Sequence, residues 1–273
     1  MSDGFEDAKV DGRVLRYICT GKGAPPVVVD QGQGLSIERS LEQRVKLGWA
    51  NVFTEIGKAT SVVMHDRAGL GSSDRTPYAR GCTEMVEDLR AILSKARIAP
   101  PYVLVGHSIG GFNVRAFAAR YPDEVAGLVL VDSSHPDQTA RRAGILPPES
   151  PGDPLPLKLW RHGLDPAASP EMIDARRCAE QARCLKSIGV KPLVVVSQSP
   201  QSFGPPGLPA ALWEKMQSVW SELQTDLLKL SANSRQFVAV HAGHHVQVEE
   251  PRLVIDAILD VVKAVRSGVP RSH

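Results

Sequence analysis

A serine between two glycines is the group in this sequence best suited to nucleophilic chemistry. The segment Gly106-His107-Ser108-Ile109-Gly110 follows a short apolar run and precedes a helix-like stretch. A serine hydroxyl attacks a carbonyl carbon only when a base removes its proton and the site stabilises the resulting oxyanion. A sharp turn from strand into helix holds the hydroxyl clear of the backbone, beside the free N–H groups of the helix. We therefore predict that Ser108 is a catalytic nucleophile, the alternative being a purely structural glycine-rich turn.

A serine nucleophile needs a histidine base, and three histidines lie close together after the last apolar run. They are His241, His244 and His245. On a strand-to-helix turn of this kind, the acid and then the histidine follow the nucleophile along the chain. We favour His244, because the preceding Gly243 allows the loop to turn tightly. A surface histidine cluster is one alternative, and a metal site is a weaker one because no matching carboxylate motif accompanies the histidines.

The third catalytic group is a carboxylate that orients the histidine, and two strand ends are candidate positions for it. Catalytic groups collect at the carboxyl ends of parallel strands. The apolar run Pro192–Val196 is followed by no acidic residue until Glu214, whereas the run Val125–Val131 ends directly in Asp132. Asp132 is therefore the predicted acid, and an aspartate that only caps a turn is the alternative.

Two backbone N–H groups are expected to stabilise the oxyanion. One belongs to Ile109, the residue after the nucleophile, and the other to the loop Gln31-Gly32-Gln33-Gly34 after an early apolar run. We favour the N–H of Gln33, with Gly32 and Gly34 as alternatives, although the glycines can also serve only to form the turn. No third glycine follows at the spacing of a dinucleotide-binding fingerprint.

The elements that must carry these residues alternate between apolar runs and helix-like stretches, which predicts a parallel sheet covered on both faces. The predicted strands are Arg13–Thr20, Val27–Asp30, Ser61–His65, Tyr102–Val105, Val125–Val131, Pro192–Val196 and Gln236–Val240. The alternation stops between residues 133 and 189, where a Pro-rich segment is predicted to form a cap or lid. Residues 1–132 and 190–273 then form the core, and a disordered loop is the alternative for the insertion.

One later stretch, Glu214–Leu230, is predicted to be a helix with a continuous apolar stripe. The stripe is most simply part of the core, and a coiled-coil dimer seam would need more heptads. Its members are Trp213, Met216, Trp220, Leu223, Leu227 and Leu230.

The composition narrows the class of protein further. The chain has 273 residues, 42% of them apolar, and a net charge of +2, which suits one large α/β domain. It has no long basic run, so nucleic acid is not an expected partner, and no apolar run approaches the roughly 20 residues that cross a bilayer. The acidic, polar start is unlike a signal peptide, so we expect a cytoplasmic location. The cysteines form no CxxC pair and are expected to be reduced, and no cofactor or metal is expected.

Together these motifs resemble the α/β-hydrolase superfamily over nearly the full length of the chain. The resemblance rests on Gly32, the segment Asp66–Ser73, the segment Gly106–Gly111, and Gly243-His244 with Pro251 beyond it. It implies an α/β fold: an eight-stranded, mostly parallel α/β-hydrolase sheet with helices on both faces and a small cap between strands six and seven.

Two departures from the usual pattern of the superfamily bear on the site. Many members carry His-Gly where this chain has Gln31-Gly32, so the oxyanion loop is expected to differ in shape. Most members place the acid after strand seven, whereas Asp132 resembles the minority, including haloalkane dehalogenases and some lipases, that place it after strand six. Dehalogenases and epoxide hydrolases use an aspartate nucleophile, and Ser108 argues against that chemistry.

The sequence therefore predicts a serine hydrolase, specifically a carboxylesterase that cleaves a small or medium ester through an acyl-enzyme. Ser108, Asp132 and His244 would be the catalytic triad, with the N–H groups of Gln33 and Ile109 as the oxyanion hole. An amide, lactone or carbon–carbon bond hydrolase of the same fold, or a hydrolase-fold binding protein, are the alternatives.

Overall fold

The computed structural model describes residues 4–42 and 48–268, so residues 1–3, 43–47 and 269–273 of the predicted core lie outside the described part. The strands are β1 Phe5–Val10, β2 Arg13–Thr20, β3 Val27–Asp30, β4 Val62–His65, β5 Tyr102–His107, β6 Val125–Val131, β7 Leu193–Ser197 and β8 Ser234–Val238. The helices are α1 Ile37–Leu41, α2 Ala50–Ala59, α3 Cys82–Lys95, α4 Gly110–Arg120, α5 Gln138–Ala143, α6 Leu155–His162, α7 Ala175–Ala182, α8 Ala210–Asp226, α9 Val246–Glu249 and α10 Pro251–Ser267.

The strands form one eight-stranded sheet in the order β1-β2-β4-β3-β5-β6-β7-β8. Only β2 runs against the others, because it pairs antiparallel with both β1 and β4. The predicted eight-stranded, mostly parallel sheet is confirmed. Strand β1 is absent from the list of strands predicted from apolar runs, because half of its segment FEDAKV is charged and only Ala8 and Val10 are buried.

The register of the parallel strands brings the functional ends of the sheet to one edge. Asp30 of β3 is paired with Gly106 of β5, and His107 is paired with Val131 of β6. Val131 is in turn paired with Val196 of β7. The chain therefore leaves β3, β5, β6 and β7 at the same level, and the residues that follow each strand meet above that edge.

Two helical layers cover the sheet, as alternate residues of each strand require. On one face, side chains such as Val28, Leu104 and Leu128 pack against α3, α4 and α7. On the other face, side chains such as Val105 and Val129 pack against α2 and α10. Because both faces are buried, the strands need to be apolar throughout, which is why they could be recognised in the sequence.

The predicted cap segment, residues 133–189, contains three helices that pack in different places. Helices α5 and α6 contact each other, and α5 also contacts α8. Helix α7 packs instead against α3 and α4 in the body of the protein. Ile173, just before α7, pairs with Arg80 in a short parallel bridge. The second half of the segment therefore lies on the core, and the first half lies over the carboxyl edge of the sheet.

Candidate active site

Ser108 lies at the point where β5 turns into α4. Its φ of 53° is in the left-handed region, a strained conformation for a residue with a side chain. The turn is closed by hydrogen bonds that its carbonyl accepts from the N–H groups of Gly111 at 3.0 Å and Ser134 at 2.9 Å. A Cβ at Gly106 would lie 2.7 Å from the carbonyl oxygen of Gly110, so a larger residue does not fit beneath the serine.

Asp132 and His244 form the pair that the sequence predicts. The Nδ1 atom of His244 lies 2.6 Å from Oδ2 of Asp132, a short bond typical of a charged acceptor. The other carboxylate oxygen, Oδ1, accepts hydrogen bonds from the N–H of Gln198 at 3.0 Å and from Nε1 of Trp220 at 2.8 Å. Asp132 is fully buried, whereas 41% of the His244 side chain is exposed. The carboxylate is thus fixed and the imidazole is accessible from the cleft.

Carboxylates at the end of α9 and directly after it hold the loop that carries His244. Glu250 accepts hydrogen bonds from the backbone N–H groups of His241 at 2.6 Å and Ala242 at 2.9 Å. Glu249 accepts one from the N–H of Gly243 at 2.6 Å. Three successive N–H groups are therefore satisfied by side chains, which gives an irregular loop a single conformation.

Two other histidines pack around His244 and are held neutral. The ring of His107 lies 4.8 Å from that of His244, and its Nε2 donates a hydrogen bond to the His244 carbonyl at 2.9 Å. Burial and the neighbouring His244 together lower the pKa of His107. The same two causes lower the pKa of His245 to about 4. Neither ring is positioned on Asp132, so neither replaces His244.

The loop 31–34 is fixed from below by a buried ionic network. The guanidinium of Arg67 donates hydrogen bonds to the carbonyls of Gln31 and Gly32, both at 2.8 Å. Arg67 also pairs with the buried carboxylates of Asp30 and Glu171. Burial by itself raises the pKa of Asp30, but the charge of Arg67 together with the contacts from His65 and Asn113 outweighs it, so the pKa is below its usual value. Asp30 and Arg67 are therefore both ionised at neutral pH.

The same loop lies directly against Ser108. A Cβ at Gly32 would be 3.5 Å from Cβ of Ser108 and 2.9 Å from Nδ1 of His107. The N–H of Gly34 is already used, because it donates to Oε2 of Glu171 at 2.7 Å. Gln33 lies between these two glycines and is exposed.

Ser108, Asp132 and His244 line one cavity of about 330 Å³, so the structure brings the three predicted residues together. The opposite walls come from α5, α6 and α8, through Gln138, Arg142, Trp160, Trp213, Met216 and Trp220. Among residues 4–42 and 48–268, no group of three or more His, Cys, Asp and Glu side chains has the arrangement of a metal site. Within the same ranges, no helix is long and apolar enough to span a membrane.

Sequence reasoning missed several residues that shape the site. Trp220 was assigned to the apolar stripe of α8, and its side chain is buried, but its indole N–H also binds the acid. Glu171 lies within the predicted cap and gave no signal, because its partner Arg67 is 104 positions away in the sequence. Arg67 itself stands within the segment on which the family resemblance rests.

A family model described as the alpha/beta hydrolase fold matches residues 45–187 of this chain. That range is more than half of the chain and includes the turn at Ser108 and the end of β6 at Asp132. The chain belongs to the α/β-hydrolase family. The match ends before His244, so the assignment of this histidine to the site depends on the geometry described above.

Three known proteins match this α/β hydrolase over most of its length, at low sequence identity. The uncharacterized protein YqjL of Bacillus subtilis is 25% identical over 243 residues, which cover 88% of this chain and 85% of that protein. A thermophilic esterase from Thermogutta terrifontis superposes with a TM-score of 0.62 at 22% identity, covering 96% of this chain and 99% of that one. A loop variant of haloalkane dehalogenase DbeA from Bradyrhizobium elkanii superposes with a TM-score of 0.64 at 16% identity, covering 97% and 98%.

These likenesses establish the fold, since both structural neighbours are below 25% identity. The two neighbours share one architecture but have different activities by their names. This chain also spans half or less of the length of several other curated relatives. Fold alone does not select a reaction, so the reaction has to be argued from the site.

Proposed function

We propose that this protein is a serine hydrolase that cleaves a small or medium carboxylic ester through an acyl-enzyme intermediate. The observation that carries the proposal is the 2.6 Å contact between Nδ1 of His244 and the buried carboxylate of Asp132, in the cavity that Ser108 also lines. An aspartate on Nδ1 leaves Nε2 as the atom that accepts a proton, which is the arrangement a serine nucleophile requires.

The reaction then follows from the roles of the three side chains. The Oγ of Ser108 attacks the acyl carbon while Nε2 of His244 takes the hydroxyl proton, and the C–O bond to the alcohol breaks as that proton passes to the leaving oxygen. Water, deprotonated by His244, attacks the acyl-enzyme in the second half and releases the acid and free Ser108. Asp132 stabilises the imidazolium in both halves.

The N–H groups of Ile109 and Gln33 are proposed as the oxyanion hole. Ile109 precedes α4 directly, so its N–H belongs to the free donors at the start of that helix. Gln33 is favoured over Gly34, because the Gly34 N–H is engaged by Glu171. The carbonyls of Gln31 and Gly32 are held by Arg67, which supports a preorganised loop whose donors need not rearrange during the reaction.

Residues 133–189 are proposed as the cap that closes the site. Helices α5 and α6 supply the part of the cavity wall opposite the nucleophile, through Gln138, Arg142 and Trp160. The packing of α7 on α3 and α4 supports a narrower covering unit, in which α7 anchors the segment to the core.

The first test replaces the nucleophile. We expect Ser108→Ala to abolish hydrolysis of a p-nitrophenyl ester and covalent labelling by a fluorophosphonate, because the substitution removes the oxygen proposed to form the acyl-enzyme. The labelled residue is read by mass spectrometry. Ser94→Ala, which alters an exposed serine of α3, is the matched control and should keep full labelling. Labelling that persists in Ser108→Ala contradicts the proposal.

The same triad serves amide, lactone and carbon–carbon bond hydrolysis, so the bond type needs a substrate comparison. Assaying an ester, an amide and a lactone of one acyl group side by side should show the ester as the fastest. An alcohol leaves more readily than an amine, and a lactone cleaved faster than the ester would indicate a lactonase instead. Tight ligand binding without turnover of any of the three would indicate a binding protein of hydrolase fold.

A further inference from the structure

Arg142 on α5 reaches into the cavity of the nucleophile and has no role in the mechanism above. Its guanidinium carbon lies 4.9 Å from the centre of the Trp220 ring and 5.9 Å from that of Trp160. Two aromatic faces therefore hold the cation in one orientation, through a contact worth a modest free energy by itself. The side chain is partly exposed, and what it is exposed to is the cavity.

No carboxylate accompanies this cation. Among the described residues, the Arg142 guanidinium makes no hydrogen bond or ion pair, whereas its neighbour Arg141 pairs with Glu222 at the surface. Burial lowers the pKa of Arg142 to about 10, so the side chain still carries its charge at neutral pH. A charge that is largely removed from water and left without a counter-ion is unfavourable, and a bound anion would remove that penalty.

The acid of the triad does not fill this role. Both oxygens of Asp132 are occupied, by His244 on one side and by Gln198 and Trp220 on the other. Apart from Asp132, the side chains that line the described cavity carry no negative charge. The indole of Trp220 has the guanidinium over its ring, while its N–H binds the carboxylate. Asp132 attracts the guanidinium and opposes the lowering of its pKa, but burial has the larger effect, and no hydrogen bond or ion pair joins the two groups among the described residues.

A second donor lies one helical turn before Arg142. Gln138 is four residues earlier on α5, so both side chains lie on the same helix face, and both line the cavity. The Oε1 atom of Gln138 accepts a hydrogen bond from the N–H of His135 at 3.1 Å, which turns its amide NH₂ away from that contact. A planar guanidinium and one amide donor suit a carboxylate, which accepts in one plane, better than a phosphate dianion, which requires more cations.

We propose that Arg142, assisted by Gln138, binds a carboxylate group on the substrate, so that the preferred substrates are esters carrying a second, free carboxylate. The proposal rests on the proposed function for the bond that is cleaved. The substrate then carries a negative charge at the end that Arg142 binds, and Arg142 is the residue that determines specificity.

The experiment compares pairs of substrates that differ in charge alone. Monoethyl succinate, glutarate and adipate are each paired with the ester whose terminal carboxylate is a neutral amide, and ethanol release gives kcat/KM. We expect the wild-type protein to prefer the acid at the chain length that spans from Ser108 to Arg142, by about tenfold or more. Arg142→Met keeps the apolar stem and should lower kcat/KM for that acid about 10- to 100-fold, with the amide changed less than about threefold.

Two further variants separate charge from structure. Arg142→Lys restores the charge without the planar fork and should recover part of the preference. Arg141→Met removes the adjacent, already paired arginine and should leave both substrates unaffected. Equal losses for acid and amide in Arg142→Met would mean that the side chain only supports the fold, and the inference would be overturned. Absence of any acid preference in the wild-type protein would overturn it as well.

A binding measurement separates this inference from the proposed reaction. In Ser108→Ala, calorimetry should show tighter binding of the acid than of its amide, and the difference should vanish in the Ser108→Ala, Arg142→Met double variant. Failure of the wild-type protein to cleave any ester, with that binding difference intact, refutes the proposed function alone. Turnover of neutral esters with no binding difference refutes the role of Arg142 alone.

Discussion

At the scale of single residues, the site depends on how many donors converge on one carboxylate. Asp132 receives hydrogen bonds from Gln198 and Trp220 on Oδ1 and contacts His244 through Oδ2. Its φ of 37° is in the left-handed region, a conformation that the surrounding contacts must enforce. The donors on Oδ1 fix which oxygen faces the histidine, and so they fix the orientation of the imidazole.

This arrangement predicts a large effect for the smallest change to the acid. In Asp132→Asn, the amide oxygen should remain on the two donors from Gln198 and Trp220, which turns the NH₂ group towards His244. Nδ1 of His244 then has to accept a hydrogen bond from that NH₂ group, Nε2 carries the ring proton, and the base cannot deprotonate Ser108. We expect kcat for ester hydrolysis to fall about 10⁴-fold with the fold intact.

Steady-state kinetics and circular dichroism of Asp132→Asn test this expectation. Asp137→Asn, at an exposed residue that pairs with Arg183, is the control and should retain wild-type kinetics. Near-normal turnover by Asp132→Asn would assign the acid to another residue.

His245 predicts how stability depends on pH. Its pKa is lowered from the usual 6.5 to about 4, chiefly by burial and then by His244, so the unfolded chain binds a proton more readily than the folded one. The contribution of His245 to stability is therefore present above pH 6.5 and is lost as the pH falls towards 4. We measure the free energy of unfolding in urea at pH 7 and at pH 4.5. Between these two values of pH, that free energy should fall by about 1–2 kcal/mol more in the wild-type protein than in His245→Gln.

The matched control for this measurement is His241→Gln, because His241 is an exposed histidine of the same loop. It should follow the wild-type profile. Equal losses in the wild-type protein and His245→Gln would show that the imidazole of His245 is protonated in the folded state.

At the scale of elements, the site depends on contacts between segments far apart in the chain. The loop after β3 is held by Arg67 from the loop after β4 and by Glu171 from the segment before α7. Glu171 is fully buried and binds both Arg67 and the backbone of the loop. The insertion after β6 therefore holds the loop 31–34 as well as forming part of the cavity wall.

Removing the side chain of Glu171 should show how much its contacts contribute to the free energy of unfolding. Glu171→Ala leaves the buried Arg67 with Asp30 as its remaining carboxylate and frees the N–H of Gly34. We expect the protein to lose about 3–5 kcal/mol of stability. The thermal midpoint should then fall by roughly 10 °C. Glu149→Ala, at an exposed residue paired with His162, should change the free energy of unfolding by less than about 0.5 kcal/mol.

Differential scanning calorimetry measures both Glu171→Ala and its control. A midpoint for Glu171→Ala within a degree of the wild-type value would show that solvent replaces the carboxylate without cost. A lower kcat in the same variant, measured well below its midpoint, would link the network to catalysis.

At the scale of the whole molecule, the sheet decides which distant residues meet. Positions 108, 132 and 244 lie after β5, β6 and β8, and the register aligns those strands so that their ends share one edge. The apolar composition of the buried strands made this edge predictable. Strand β1 was not predicted because half of its residues are charged, and a strand at the margin of the sheet needs few apolar residues to pair with β2.

The helical stripe of α8 shows why the walls of the site were less predictable than its centre. Leu223, Leu227 and Leu230 are buried core residues, as expected, whereas Trp213, Met216 and Trp220 line the cavity. An apolar period of three and four residues reports that a face is covered, but not whether protein or ligand covers it. A coiled-coil dimer seam is not required to explain this stripe, because Leu223, Leu227 and Leu230 are already buried within the chain.

The sequence alone determined the turn at Ser108, the parallel sheet and the positions of Ser108, Asp132 and His244 after strands that end at one edge, because local spacing and strand composition encode them. The tertiary structure decided which side chains surround those groups. Trp220 and Gln198 on Asp132, Glu171 under the loop 31–34 and Arg142 in the cavity come from segments with no local signal. Contacts between residues far apart in the chain arise from packing, and packing is a property of the whole fold.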